Sequence, residues 1–270
     1  MKRNPIKVRW LADQCYEFIL PNGKHLITDP GITAKGRTPE LTALLESIEG
    51  CDYVLVTHSH YASTADLKYL EEKFKPFIFM SSLQSEAVFN HLDLDYSRLH
   101  PLHHGQTFEL EDFEFTAYVG KHGGKNHNPE RLKHMDDATA GPDYWHASIL
   151  GNVESFDFYI TFNNNLRVAF VSGEDDVRTT YSIARSFRPN VIIRMYLAWS
   201  IERYAAAIDR YGAEVAIAGH HDKHKAFKGD REQMRQFGVD TEKALADMGS
   251  DVQFICPESG QWYSIGTVIE

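Results

Sequence analysis

Short apolar runs separated by turn signals make up most of the chain. In the first third, "IKVRWL", "CYEFIL" and "HLIT" are rich in β-forming residues, and "PNGK" between the last two is a turn. These runs predict an antiparallel meander. "TPELTALLESIEG" then predicts a helix, with Pro39 near its start and Gly50 just after its end, and "CDYVLVTH" predicts an apolar strand.

Helices and strands alternate in the middle of the chain. "STADLKYLEEKF" predicts a helix in which Ser63 or Thr64 is the cap and Asp66 lies in the first turn. "PFIFMSS" predicts a strand, "SSLQSEAVFNHL" a helix and "LHHGQTFELEDFEFTAYVG" a strand, a turn and a strand. Residues 121–145 show no clear periodicity, and a connection of that length favours a functional loop.

The second half repeats this order of elements. "HASILG", "FDFYITF" and "LRVAFVSG" predict a second meander, and helices near 177–187, 200–211 and 230–248 alternate with four further strands. Two such halves predict an α/β fold, an αββα sandwich of two mixed β-sheets with helices on the outer faces, in a single domain over residues 1–270. A single doubly wound sheet is the alternative, and the many hairpins count against it.

Composition narrows the class of protein. Hydrophobic residues are 43% and charged residues 24% of the 270, and the formal net charge is −10. That charge disfavours a nucleic-acid partner, although a small anionic substrate can still bind where local charge differs. Three scattered cysteines outside any C-x-x-C pair favour reduced thiols and a cytoplasmic protein. We expect no signal peptide and no membrane span.

Histidines are crowded at the ends of strand-like segments. Fourteen are present, grouped at 58–60, 100–104, 122–146 and 220–224. In "VLVTHSHYAS", His58 and His60 are two positions apart, so on an extended chain both imidazoles point to the same side and can share a metal ion. Two ordinary polar loop histidines are the alternative, and this motif alone does not decide between them.

The strand-T-H-x-H pattern after a meander ending in "ITDPG" resembles the metallo-β-lactamase superfamily. The resemblance is greatest to the branch that includes ascorbate-6-phosphate lactonase and related metal-dependent hydrolases. It spans nearly the whole chain, because five spaced motifs occur in order, each at the end of an apolar strand. The fold that it implies is the same αββα sandwich.

The resemblance implies roles for the first two motifs. Asp29 in "LITDPG" is expected to orient the metal ligands without binding the ion, although a turn-forming Asp-Pro-Gly is a sufficient explanation by itself. His58 and His60 match the ligands of T-H-x-H-x-D-H. Where the superfamily has the aspartate and the last histidine, this chain has Ala62 and Ser63.

A histidine after "FTAYVGK" and a carboxylate after "VAFVSG" match the third and fourth motifs. His122 is the predicted third ligand, with His127 as its alternative. Glu174 lies at the superfamily's bridging-aspartate position and is a predicted ligand or general base. Its alternative role is an acidic residue at a helix N-terminus, where carboxylates are favourable.

The fifth motif is "AEVAIAGHHD". His220 is the predicted ligand, His221 its alternative, and Asp222 a predicted general base or partner of a ligand. A polar loop is again the alternative explanation.

The departure at Ala62 and Ser63 leaves three hypotheses. In the first, the protein is a hydrolase with one divalent ion, zinc or else manganese or iron, bound by His58, His60 and His122. In the second, other histidines replace the lost ligands and hold a second ion. In the third, catalysis is lost and the fold persists as a binding or regulatory module. We place the two hydrolase hypotheses above the third, because the remaining strand-end ligands are all present.

The resemblance implies an ester, lactone or phosphodiester substrate. The basic residues of 121–145 can hold an anionic group over the metal, or they belong to a solvated loop. A role in nucleic-acid processing and a flavin or di-iron redox role are disfavoured, and the oligomeric state is left open.

Overall fold

Two seven-stranded sheets form the centre of the fold. The computed structural model describes residues 5–122, 144–173, 179–197, 199–223 and 231–266. The first sheet has the order β14-β1-β2-β3-β4-β5-β6. Its strands are β1 (Ile6–Ala12), β2 (Cys15–Ile19), β3 (His25–Thr28), β4 (Tyr53–Leu55), β5 (Phe77–Ser81), β6 (Leu99–Leu102) and β14 (Trp262–Ile265).

The second sheet has the order β13-β12-β11-β10-β9-β8-β7. Its strands are β7 (Gln106–Glu109), β8 (Phe113–Gly120), β9 (Ser155–Phe162), β10 (Arg167–Val171), β11 (Val191–Met195), β12 (Val215–Gly219) and β13 (Gln253–Ile255). Both sheets are mixed, with antiparallel hairpins at one side and parallel neighbours at the other. The predicted sandwich of two mixed sheets is confirmed.

Helices cover the outer faces of the sheets. They are α1 (Pro39–Glu46), α2 (Tyr61–Thr64), α3 (Leu67–Phe74), α4 (Ser85–Leu92), α5 (Trp145–Val153), α6 (Thr179–Phe187), α7 (Ile201–Asp209) and α8 (Arg231–Asp247). In the part of the chain with described positions, no helix is long and apolar enough to cross a membrane.

Strand alternation explains which side chains enter the core. On β1, Ile6, Val8 and Trp10 point into the apolar cluster between the sheets, whereas Leu11 packs under the helices on the other face. The interior cluster takes phenylalanines from both sheets, including Phe18 from the first. A separate apolar cluster lies beneath the helices of each sheet, so every sheet face is covered.

Two predicted elements are wrong. The helix expected from Ser63 is divided into α2 and α3. Asp66 occupies the N-cap position of α3 without capping through its side chain, and accepts hydrogen bonds from the backbone and hydroxyl of Thr33. "HASILG", predicted to be a strand, lies in α5. Its apolar run lacks alternation, and such a short run does not distinguish a strand from a buried helix.

Three of the predicted site motifs meet at one edge of the sandwich. The segments after β4, β8 and β12 end there, and the β1–β2 hairpin loop, Asp13 and Gln14, lies beside them. Side chains far apart in sequence can therefore line one cavity.

Candidate metal centre

Three imidazoles converge after β4 and β8. The candidate ligand nitrogens of His58, His60 and His122 all lie within 4.8 Å of one another, and His58 Nε2 is 3.0 Å from His60 Nδ1. His58 and His60 are each 6% exposed. Nitrogens that share one zinc ion at about 2.0–2.1 Å lie roughly 3.3 Å apart in a tetrahedral site. The histidine side chains therefore fit one ion with only small rotations.

A hydrogen-bonded chain behind His58 fixes the orientation of its ring. Thr57 Oγ1 lies 2.7 Å from His58 Nδ1 and donates to Asp29 Oδ2 at 2.6 Å, while the backbone nitrogen of Thr57 donates to Asp29 Oδ1 at 2.7 Å. Since the hydroxyl proton goes to the carboxylate, the proton between Thr57 and His58 belongs to Nδ1. Nε2 then presents its lone pair to the other imidazoles, as a ligand must.

Helix α5 packs against His60. A Cβ atom at Gly151 would lie 2.7 Å from His60 Cδ2 and 3.0 Å from its backbone nitrogen, so the helix reaches His60 only because residue 151 is glycine. Ser59 Oγ donates to the carbonyl oxygen of Ala147 at 2.5 Å and fixes the β4–α2 segment to the same helix. The imidazole of His60 is therefore packed from behind.

The three histidines open into a cavity of about 190 Å³. It is lined by Asp13, Gln14, His58, His60, Ala62, Ser63, His122, Met195, Leu197 and His220. Ala62 carries no donor or acceptor in its side chain, and a Cβ at Gly31 would overlap the Ala62 carbonyl oxygen. The position of the missing aspartate is thus tightly packed by backbone.

His220 lies in the cavity wall but belongs to a different polar group. Its Nε2 is 3.8 Å from Asp13 Oδ1, and its backbone nitrogen donates to the carbonyl oxygen of Asp13 at 2.8 Å. Both residues have left-handed backbones, with φ of 56° for His220 and 51° for Asp13. Such conformations are uncommon for residues with a Cβ and often occur at functional sites.

Asp222 lies one layer farther from the three histidines. Its Oδ2 is 3.2 Å from Lys35 Nζ and accepts from the backbone nitrogen of Asp13 at 3.4 Å. Lys35 Nζ is also 3.5 Å from Asp13 Oδ1. Asp222 does not line the histidine cavity but the neighbouring groove beside α8. The lysine side chain is half exposed, so this three-membered ion cluster connects the cavity residue Asp13 to the protein surface.

His221, the alternative ligand of the fifth motif, is buried elsewhere. Its ring packs 4.2 Å from the ring of Trp10, and Nε2 lies 3.2 Å from the carbonyl oxygen of Pro257. Burial lowers the pKa of His221 to about 4, so the side chain is neutral and acts in packing. Glu174 and His127, predicted as a ligand and an alternative ligand, lie outside the described residues.

The site also includes residues that sequence patterns did not indicate. Asp13 and Gln14 form the two-residue loop between β1 and β2, and Thr57 connects Asp29 to His58. The sequence contained one weak indication that this loop is unusual. Tight hairpins favour glycine or asparagine where φ is positive, whereas this loop consists of Asp13 and Gln14. Asp29 accepts hydrogen bonds from the backbone nitrogen and the hydroxyl of Thr57.

The comparisons with known proteins agree with this arrangement. Residues 24–141, which include His58, His60 and His122, match the model of the beta-lactamase superfamily domain. Over this segment, the chain is similar to that superfamily. A metal-dependent hydrolase of the UPF0173 group from Koribacter versatilis is 24% identical over 157 residues, which is 51% of this chain and 65% of that relative. One from Polaromonas is 33% identical over 60 residues, or 22% of each chain. The matched segments thus span less than two thirds of these relatives.

Solved structures share the fold over nearly the whole chain. Igni18, a metallo hydrolase from Ignicoccus hospitalis, has a TM-score of 0.66 at 14% identity and covers 98% of this chain and 100% of its own. An isothiocyanate hydrolase from Delia radicum gut bacteria has a TM-score of 0.64 at 13% identity, over 97% and 100% of the two chains. At such identities the likeness establishes the fold.

Proposed function

We propose that this protein is a metal-dependent hydrolase of small esters, lactones or phosphodiesters, with one divalent ion bound by His58, His60 and His122. The observation that carries the proposal is the convergence of these three imidazoles at the cavity. A histidine whose far nitrogen is held by a Thr–Asp pair is typical of a metal ligand, because the pair fixes the tautomer and the ring plane.

Three features favour one ion over two. At the positions where the superfamily supplies a second set of ligands, Ala62 has none to offer and Ser63 has only a weak hydroxyl. The carboxylates near His220 already face a cation, since Lys35 Nζ lies 3.5 Å from Asp13 and 3.2 Å from Asp222. Among the described residues, the three histidines are also the only group of this kind that is close enough to share an ion.

An ion held by the three histidines would lower the pKa of water and polarise a carbonyl or phosphoryl oxygen. The chain's own residues orient the substrate and accept a proton. Asp222 and Glu174 are the bases expected from the sequence, and the cavity adds Asp13. We assign proton acceptance to Asp13 Oδ1 ahead of Asp222, because Asp13 lines the histidine cavity and Asp222 lies behind it.

The cavity favours a compact substrate. About 190 Å³ is smaller than the roughly 300–1,000 Å³ of typical ligand pockets. Met195 and Leu197 supply an apolar side, and the half-exposed Lys35 ammonium lies 3.5 Å from the Asp13 carboxylate that lines the cavity. A small ester or lactone fits this arrangement best, while a phosphodiester would place an anionic oxygen toward Lys35.

The test is a panel of p-nitrophenyl acetate, δ-valerolactone and bis(p-nitrophenyl) phosphate with metal-free protein and after addition of zinc, manganese or iron(II). We expect at least one class to be hydrolysed only after metal addition, and His58→Ala to remove that activity. Hydrolysis that persists in metal-free protein would contradict the proposal. Failure of metal-loaded protein on the whole panel would favour the hypothesis of a binding module that has lost catalysis.

A further inference from the structure

Gln14 has a buried carboxamide that faces the cavity. The residue is 3% exposed and lines the space shared by His58, His60 and His122. Within the described parts of the chain, neither Nε2 nor Oε1 of Gln14 has a hydrogen-bond partner. Buried carboxamides are nearly always hydrogen-bonded, because each unsatisfied donor or acceptor is unfavourable. An unpaired polar group beside a candidate active site indicates that a bound ligand supplies its hydrogen-bond partner.

The backbone that carries Gln14 is held in place. Asp13, its neighbour in the loop, accepts hydrogen bonds from the indole of Trp10 at 3.0 Å and from the backbone of His220 at 2.8 Å. The carbonyl oxygen of Gln14 accepts from the hydroxyl of Thr28 at 2.9 Å. The side chain therefore projects from a fixed loop, which is the condition for a preorganised binding group.

A second buried glutamine shows what a structural role looks like. Gln84 Nε2 donates to the carbonyl oxygens of Leu150 and Glu154 at 3.1 and 2.6 Å, and so ties α4 to the end of α5. Gln14 makes no comparable connection among the described residues. The contrast separates a carboxamide that joins two elements from one that faces an open cavity.

We propose that Gln14 recognises the substrate by pairing with an amide-like edge, in which an N–H donor and a carbonyl acceptor lie side by side. Its Oε1 accepts from the donor and its Nε2 donates to the carbonyl oxygen, the pairing that a carboxamide is shaped to make. This inference rests on the proposed function, because it assigns a specificity-determining residue to the same cavity. The recognised edge is separate from the ester, lactone or phosphodiester bond that is cleaved.

The first test compares Gln14→Met with Gln84→Met by thermal unfolding. Methionine keeps the length of the side chain but removes the carboxamide. We expect Gln14→Met to leave the midpoint unchanged or to raise it, because an unpaired buried amide is removed. Gln84→Met should lower the midpoint by several degrees. A fall in the Gln14 variant as large as that in the Gln84 variant would assign Gln14 a structural role and overturn the proposal.

The second test measures binding of two unreactive probes by saturation-transfer NMR. δ-Valerolactam has an adjacent N–H and carbonyl, whereas its N-methyl derivative lacks the donor. We expect the wild type to prefer the lactam by about tenfold or more, and Gln14→Met to bring the ratio close to one. An affinity ratio close to one in the wild type would refute the proposal. A lactam preference that is unchanged in Gln14→Met would also refute it, because steric exclusion of the methyl group then explains the preference.

Neither test depends on turnover. Metal content of the Gln14 variant, measured by elemental analysis, should equal that of the wild type, since Gln14 is not one of the three proposed ligands. If the wild type binds metal and prefers the lactam but hydrolyses none of the assay substrates, the proposed hydrolase is wrong and the binding role of Gln14 stands. If the protein hydrolyses an assay substrate but does not prefer the lactam, the proposed role of Gln14 is wrong and the proposed hydrolase stands.

Discussion

The ends of β4 and β12 carry the same kind of sequence and have different environments. Each strand is apolar and ends in histidines, "VLVTHSH" in the first sheet and "VAIAGHH" in the second. After β4, both imidazoles turn toward a third and their nitrogens converge. After β12, one imidazole lies against Asp13 and the next is buried against Trp10 with its pKa lowered to about 4.

Spacing and partners account for this difference. His58 and His60 are two positions apart, so they share one side, whereas His220 and His221 follow β12 directly, in a left-handed residue and a tight helical turn, and have different neighbours. Behind His58 stands an Asp–Thr pair that fixes its tautomer. A histidine after an apolar strand is thus a weak indication of metal binding, and same-side spacing with an oriented far nitrogen is a much stronger one.

The largest difference between the ends of β4 and β12 should appear when a histidine at each end is replaced. His58→Ala should abolish the rise in unfolding temperature on adding zinc, because binding at a thousandfold the Kd stabilises a protein by about 4 kcal/mol. His220→Ala should keep most of that rise. Thermal unfolding with and without zinc measures both, and equal loss in the two variants would place His220 among the essential ligands.

The second-largest effect should be on kcat, when the carboxylates of Asp13 and Asp222 are replaced in turn. We expect Asp13→Asn to lower kcat by about 10²–10⁴-fold, the usual loss on removing a general base, and Asp222→Asn to lower it only several-fold. The opposite ranking would restore Asp222 as the base, as the sequence had suggested.

Removing the hydroxyl that orients His58 should weaken metal binding without abolishing it. Thr57→Val keeps the shape of the side chain and breaks the contact with Asp29, so metal affinity should fall about 10–100-fold. Thr64→Val is the matched control. It also loses a buried hydroxyl near the site, one that donates to the carbonyl oxygen of His60, yet it touches no ring nitrogen. Similar losses of affinity in both variants would argue against an orienting role for Thr57.

The smallest effect should come from replacing a glycine near the histidines that follow β4 and a glycine at the end of β12. Gly151→Ala should cost about 1–3 kcal/mol of stability and lower metal affinity several-fold, because the new Cβ would lie 2.7 Å from His60 Cδ2. Gly219→Ala, at the end of β12, meets its nearest atom at 3.6 Å and should be tolerated. Chemical unfolding of the two variants provides the comparison, and an unaffected Gly151→Ala would mean that α5 does not position His60.

Sequence patterns captured the layers of the fold and most of its elements. Apolar runs with turns identified the strands, and the order of the halves gave the two sheets. The error at "HASILG" arose because a short apolar run has no period that separates strand from helix. The helix expected from Ser63 was also wrong, since Asp66 is engaged by Thr33 and the chain bends before α3.

The site was less accessible to sequence reasoning. His58 and His60 became candidates because they follow an apolar strand at same-side spacing, and His122 because the resemblance implies a histidine after β8. Asp13, Gln14 and Lys35 reach the site only through long-range packing of the β1–β2 loop and the segment after β3, and local patterns carry no information on such contacts. Nor does the sequence show that Lys35 lies between Asp13 and Asp222.

The number and place of bound ions tests the central claim most directly. Elemental analysis of untagged protein, saturated with zinc and freed of excess, should give about one ion per chain, as expected for a single three-histidine site. That ion should be absent from His58→Ala and retained in His220→Ala. A ratio near two in the wild type, falling to one in His220→Ala, would contradict a single-ion centre and establish a second site around His220.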